Sequence, residues 1–377
     1  MTERILITGG AGFIGSHLAR RFHAAGHAVT LLDALLPQVH GHTATETSVS
    51  RSFDGVADFI RGSVNSSEDL RRAIRGATAI VHLAAETGTG QSMYEIDRYV
   101  STNVGGTAKL LDVLGQGAHD VRRLVVASSR SIYGEGAYLT QDGRVVYPPH
   151  RAEGDMAAGR FDVGMPGERP LTVIPTDETA KVHPSSVYGI TKLTQESLVM
   201  TVAPTMGVEP VSLRYQNVYG PGQSLKNPYT GILSIFSTLI RLGKEINIFE
   251  DGKESRDFVF IEDVVEATHL ATVRPEAAGK VFNVGSGVPI TVLEVVDALI
   301  DAYGTVVPTR ISGKYRLGDI RHNIADTRLI RELLGFEASV PFASGVRMFA
   351  DWVRSEPIQG DAYERSLEEM EARGLLR

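Results

Sequence analysis

The chain has 377 residues, of which 42% are apolar and 22% charged, with a net charge of −7 and no cysteine. Those totals exclude disulfides, thiolate metal sites and a cysteine nucleophile, and they give no broad attraction for nucleic acid or anionic membranes. No apolar run reaches the roughly 18 residues that span a bilayer, and no basic and apolar leader follows Met1, so a cytoplasmic protein outside any membrane is expected.

Residues 4–8 form a short apolar run, long enough for a buried parallel strand. Gly9-Gly10-Ala11-Gly12-Phe13-Ile14-Gly15 follows, and residues 17–22 read as a helix. Glycines at 9, 12 and 15 let the backbone turn sharply and approach a pyrophosphate, whose charge then sits on the helix N-terminus. A tight strand-to-helix turn with no ligand is the alternative. The next strand, residues 28–32, ends in Asp33, about twenty residues beyond the glycine loop. A carboxylate there accepts hydrogen bonds from ribose hydroxyls and repels a 2′-phosphate, which favours NAD over NADP.

Residues 59–63 read as a third strand end and residues 79–85 as a fourth, with helix-like stretches at 68–75 and 104–114. This alternation predicts an α/β protein built on a doubly wound parallel sheet of the Rossmann type. His82 lies in the fourth apolar strand, where a structural histidine is expected in preference to a base. A fifth strand, residues 124–127, runs into Ser128 and Ser129.

Helical spacing over Ser185-Ser186-Val187-Tyr188-Gly189-Ile190-Thr191-Lys192 places Tyr188 and Lys192 one turn apart. A nearby ammonium lowers the pKa of a phenol from about 10 toward the working pH, so Tyr188 can exchange a proton with a hydroxyl. Further along, residues 211–215 read as a buried strand and residues 232–242 as a helix. Residues 281–285 form a return strand, Thr291 opens a capped helix, and residues 364–377 form a charged amphipathic helix packed on its own subunit.

Taken together these motifs resemble the extended short-chain dehydrogenase/reductase superfamily, in particular its nucleotide-sugar epimerases and dehydratases. The resemblance rests on the glycine loop, Asp33, His82-Leu83-Ala84-Ala85, Asn103, Ser128-Ser129-Arg130-Ser131-Ile132-Tyr133-Gly134, and Tyr188 with Lys192. It continues through Leu213-Arg214-Tyr215-Gln216-Asn217-Val218-Tyr219-Gly220-Pro221 and Arg256-Asp257-Phe258. Leu36-Pro37-Gln38-Val39-His40-Gly41, Tyr133-Gly134-Glu135-Gly136 and Gln223-Ser224-Leu225-Lys226-Asn227-Pro228-Tyr229 look most like dTDP-L-rhamnose 4-epimerases and related deoxysugar 4-epimerases or 4-ketoreductases.

The resemblance implies Ser129, Tyr188 and Lys192 as catalytic residues and NAD as cofactor. It implies cofactor contacts from Gly9, Gly12, Phe13, Ile14, Gly15 and Asp33, and from Ser63, Val64, Leu83, Ala84 and Ala85. Asn103, Ser128, Tyr188, Lys192, Tyr215 and Val218 complete that set. Substrate contacts are implied for Thr87, Ser129, Arg130, Ser131, Asn217, Arg256 and Arg316, with the two arginines and Asn217 on a diphosphate. No metal is expected.

By the same resemblance, a homodimer forms through the tyrosine helix and the helix near residues 99–114. Residues 1–215 form the NAD-binding domain with 246–283 returning to it and 135–176 as an inserted loop region. Residues 216–245 and 284–377 form the substrate lobe. A loop this long is either a lid or a passive surface excursion.

The implied reaction is 4-epimerisation of a nucleotide-diphosphate sugar through a transient 4-keto intermediate. Arg130 and Ser131 stand where related dehydratases carry acids, which disfavours dehydration, and epimerisation at C3 and C5 in a related family uses a cysteine. A 4-ketoreductase drawing on exchanging NAD(P)H is the alternative, and decarboxylation of a uronic acid stays open. A non-catalytic NAD-binding sensor would lose Tyr188 or Lys192, and both are present.

Overall fold

Seven short strands pair in parallel in the order Lys280–Val284, Glu209–Tyr215, Arg123–Ser129, Ala79–His82, Arg4–Thr8, Ala28–Asp33, Asp58–Arg61. The computed structural model describes residues 2–41, 45–165, 167, 170–225, 231–357 and 362–377. Of the expected motifs, Met1, Pro166 in the inserted region and residues 226–229 lie outside those described. Among the described residues no helix is long and apolar enough to cross a membrane.

The inner strands are covered on both faces, which is why they read as unbroken apolar runs and not as alternation. Ile5, Leu6 and Ile7 are each at most 1% exposed. Helices Phe13–Ala24 and Ile261–Val273 pack together on one side of the sheet, and Ser67–Ile74, Gly106–Gln116 and Val187–Val202 cover the other. Reversal of strand order between Arg4–Thr8 and Ala79–His82 opens a crevice at the carboxyl ends of the strands, where ligands bind in such sheets.

A smaller lobe sits on that crevice. Asn217–Tyr219 and His322–Asn323 pair in parallel with Ser255–Phe260, and Pro289–Thr291 pairs with the same strand antiparallel. Ile246–Ile248 pairs with Thr309–Ile311. Residues 246–260 therefore build the smaller lobe, and only the helix Ile261–Val273 and the strand Lys280–Val284 return to the large sheet. The expected return of 246–283 is thus too long at its start, because strand partners are not encoded in a local apolar pattern.

Residues 135–176 contain a three-stranded sheet of Tyr138–Leu139, Val145–Val146 and Thr172–Val173 and the short helix Glu153–Ala157. Its two ends meet: Thr176 Oγ1 accepts from Ala137 N at 3.0 Å and Ile174 N donates to Ala137 O at 3.1 Å. Two buried arginines hold it to the smaller lobe. Arg151 pairs with Glu250 at 2.8 Å and Glu135 at 3.2 Å, and Arg321 pairs with Asp162 at 2.9 Å and Asp251 at 2.6 Å. The tail helix runs over Ala362–Ala372 and stops short of the expected end.

Candidate active site

Glycine 9 adopts φ +69° and a Cβ there would lie 2.9 Å from Ala84 N; a Cβ on Gly15 would lie 2.5 Å from Gly9 O. The loop closes this tightly only because both side chains are absent. Beyond it opens a cavity of about 350 Å³ walled by Gly9, Gly12, Phe13, Ile14, Gly15, Asp33, Ser63, Val64, Leu83, Ala84 and Ala85, all of them expected cofactor contacts. Asp33 Oδ2 accepts from Ala11 N at 3.0 Å and Oδ1 from Leu35 N at 2.8 Å, with His40 Nε2 3.4 Å away. Carboxylate and glycine cradle together fit the ribose and pyrophosphate of NAD.

Three expected contacts turn away from this cavity. Asn103, on a π-helical turn Val100–Gly105, accepts from Glu86 N at 2.7 Å and donates to Glu86 O and Thr191 Oγ1, so its amide braces the cavity wall from behind. Tyr215 hydrogen-bonds Thr268 Oγ1 at 2.7 Å in the core, and Ser128 faces the Glu196 carboxylate. Tyr215, in register with Ser129, turns to the helix Ile261–Val273, and Ser128 turns to the tyrosine helix on the other side of the sheet. Val218 is half-buried in register with Val259. Thr87, expected on the substrate, lines the cofactor cavity.

Ser129 ends the strand Arg123–Ser129 and is 7% exposed; its Oγ accepts from Ser131 N and donates to Ser131 Oγ, both at 3.2 Å. The tyrosine helix Val187–Val202 starts against this turn. Ser186 caps it, accepting from Gly189 N at 3.1 Å, and Ser92 Oγ accepts from Tyr188 N at 3.0 Å. A Cβ on Gly189 would lie 2.5 Å from Ser131 O, so glycine there lets the helix start rest on the serine turn. That contact brings the Tyr188 phenol beside the Ser129 hydroxyl.

Burial pushes the Tyr188 phenol up from its ordinary value, while the Ser129 hydrogen bond and the Arg130 guanidinium pull it down. The expected depression by Lys192 is not what the geometry gives. Lys192 is 3% exposed, donates to Gln195 Oε1 at 2.7 Å, and is itself pushed down to about 7 by burial. His82 is structural: fully buried, it bonds Thr8 Oγ1 at 2.7 Å and Thr107 Oγ1 at 2.9 Å, and burial holds it neutral with a pKa near about 3.

Beside the serine turn lies a second cavity, about 220 Å³, walled by Arg130, Asn217, Arg256, Arg316 and Asp319 on its polar side. Asp319 bridges the arginines, 3.0 Å from Arg256 Nη2 and 2.9 Å from Arg316 Nη2, and they hold its carboxyl well below the usual range. Asn217 Oδ1, Asn247 Oδ1 and Glu254 Oε2 are buried without a hydrogen-bond partner, and Phe249 lies under the Arg316 guanidinium at 5.5 Å. The unmatched acceptors suit a flat-ringed ligand with N–H or O–H donors, and the arginines suit anionic charge on the same ligand.

A dinucleotide cleft, a cavity lined by arginines and a Ser-Tyr pair at the same end of the sheet define an NAD-dependent enzyme of the two-lobed Rossmann class. The chain belongs to the NAD dependent epimerase/dehydratase family, whose model matches residues 5–153 and 163–285. It is 36% identical over 355 residues to the dTDP-L-rhamnose 4-epimerase of Burkholderia thailandensis, covering 94% of this chain and 96% of that one. Two solved structures, each 29% identical, share the fold across 93% of this chain. They are MoeE5 in complex with UDP-glucuronic acid and NAD, at TM-score 0.73 and 99% of that chain, and the UDP-glucose 4-epimerase of Thermotoga maritima with UDP-glucose, at 0.74 and 98%.

Several wall residues escaped the sequence reading. Glu86, Thr102 and His40 line the cofactor cavity, and Asn247, Phe249, Glu254 and Asp319 line the other. His40 stood within the Leu36–Gly41 stretch that carries the resemblance, and Asp319 lies three residues from Arg316; the others carry no local signal beyond residue type.

Proposed function

We propose that the protein is a nucleotide-sugar 4-epimerase that acts on a dTDP-6-deoxyhexose through a 4-keto intermediate. The observation that carries this reading is the Ser129 hydroxyl beside the Tyr188 phenol, next to Arg130 in the wall of the Arg256–Arg316 cavity, with no carboxylate at positions 130 and 131. Arg256 and Arg316 hold the diphosphate, exchanging part of their charge interaction with Asp319 for it. Ser129 orients the sugar 4-hydroxyl toward the Tyr188 phenol, which removes the hydroxyl proton and later returns it. Bound NAD supplies a hydride acceptor that gives back what it takes, so no net redox change occurs. The cavity walls keep water from the ketone.

Similarity to the Burkholderia enzyme supports the thymidine nucleotide and the deoxysugar. A homodimer belongs to the same reading, since Ile96, Val100 and Ile190 are 52%, 42% and 51% exposed on the two helices assigned to it. Incubation of purified protein with dTDP-L-rhamnose and no added reductant tests the proposal. Epimer formed without cofactor consumption supports it; product that requires added NADH or NADPH makes the enzyme a 4-ketoreductase instead.

A further inference from the structure

The tail does more than present a solvated face. Its helix ends at Ala372, Gly374 turns the chain at φ +69°, and the last residues pair antiparallel with the segment that carries Arg316. Tyr315 N donates to Arg377 O at 2.8 Å, Arg377 N to Tyr315 O at 3.0 Å, and Leu317 N to Leu375 O at 2.9 Å. The same tail reaches the dinucleotide domain: Tyr94 Oη donates to Glu369 at 3.1 Å, and the Arg373 guanidinium covers the Tyr94 ring at 4.2 Å. It also reaches the inserted region, where Arg377 pairs with Glu153. A strap fastened on both lobes crosses the crevice between them.

Two of its side chains face inward. Met370 is 4% exposed and, with Tyr363, forms part of the wall of the cavity that holds Arg130, Asn217 and the two arginines. A Cβ on Gly90 would lie 3.1 Å from Met370 Sδ, so the absence of a side chain at Gly90 makes room for the thioether. Gly90 precedes Ser92, which holds the first turn of the tyrosine helix. Met370 therefore lies toward the reacting end of the cavity. A thioether is apolar, polarizable and adaptable, and it suits contact with a C–H or methyl edge better than with a charged group.

We propose that residues 362–377 are a wall of the substrate site and that Met370 is a substrate-contacting residue that favours the apolar edge of a deoxysugar. This rests on the assignment of that cavity to the nucleotide sugar. Arg373 and Glu369 are positioning residues that act through Tyr94. A substrate contact equal in ground and transition states raises KM with little change in kcat when it is removed, and one lost apolar contact is worth roughly 10-fold or more.

The absence of cysteine offers a clean test. A Met370→Cys chain is treated with methyl methanethiosulfonate alone and with dTDP-L-rhamnose, dTDP or UDP, while turnover of dTDP-L-rhamnose by the wild type is followed separately. Protection of the thiol by dTDP-L-rhamnose beyond that given by dTDP or UDP, together with about a tenfold weaker Kd or KM for dTDP-L-rhamnose in Met370→Ala, is the expected result. Equal labelling with all three nucleotides overturns the proposal, as does an unchanged Kd and KM. Loss of the 4-epimerase reading shows instead as absent turnover, and protection by dTDP or UDP in that sample still places the tail on the ligand. If Met370→Cys does not fold, Arg373→Ala, at an exposed side chain, carries the test through the Kd for dTDP: weakened binding supports the strap and an unchanged value overturns it.

Discussion

Lys192 Nζ donates to Gln195 Oε1 at 2.7 Å, three residues further along its own helix. Burial drives its pKa to about 7, far below the roughly 10.4 of a free lysine. Below pH 7 both folded and unfolded chains carry the charge, and the folded state bears the full cost of burying it. Between about 7 and 10.4 the unfolded chain binds more protons than the folded one, so stability rises with pH. Lys192→Met is therefore expected to stabilise the NAD-free protein by a few kcal/mol, at about 1.4 kcal/mol per pKa unit, at pH 6, with the gain fading by pH 10. Urea denaturation at the two pH values measures this. The same variant loses turnover.

Removing the Tyr188 hydroxyl should leave the scaffold intact, since the backbone N–H and not the phenol is held by Ser92. Tyr188→Phe is expected to lower kcat by roughly 10²–10⁴-fold, the range of general acid–base catalysis. Calorimetry with dTDP should give an unchanged Kd.

Asp33 is expected to set the choice between NAD and NADP. Its carboxylate touches the backbone of Ala11 and Leu35 and faces the cavity. Asp33→Ser removes the charge that repels a 2′-phosphate, so the ratio of NAD to NADP affinity should fall about tenfold or more, for a cost near 1.4 kcal/mol. Fluorescence titration with both cofactors reads the ratio.

Arg321 is 1% exposed and carries ion pairs to Asp162, Glu250 and Asp251. Truncation leaves the buried Glu250 without one of its two arginines. Arg321→Ala should cost about 3–5 kcal/mol of stability, read by urea denaturation, and should loosen the inserted region, read by faster amide exchange over residues 153–165.

The large sheet, the glycine loop, Asp33, Ser129 and the cavity arginines were legible because each depends on a residue type at a fixed spacing. Tyr188 was legible for the same reason, but its electrostatics were not. A turn of helix fixes how far apart Tyr188 and Lys192 lie, whereas the hydrogen bond to Gln195 depends on a rotamer chosen by the packed interior. The side chains of Asn103, Ser128 and Tyr215 take partners in the packed interior, because sequence position marks proximity to the crevice and not the direction a side chain takes. Residues 246–260 join the smaller sheet for a related reason, since long-range pairing decides which sheet a strand joins.

The meeting of Ala137 with Thr176 makes residues 138–175 a side excursion that departs and rejoins at nearly one point. Its length can change without altering how far the chain travels between Ser129 and Tyr188. Evolution could enlarge, shrink or swap that appendage while the reacting groups keep their separation, which makes it a natural place for related enzymes to diverge.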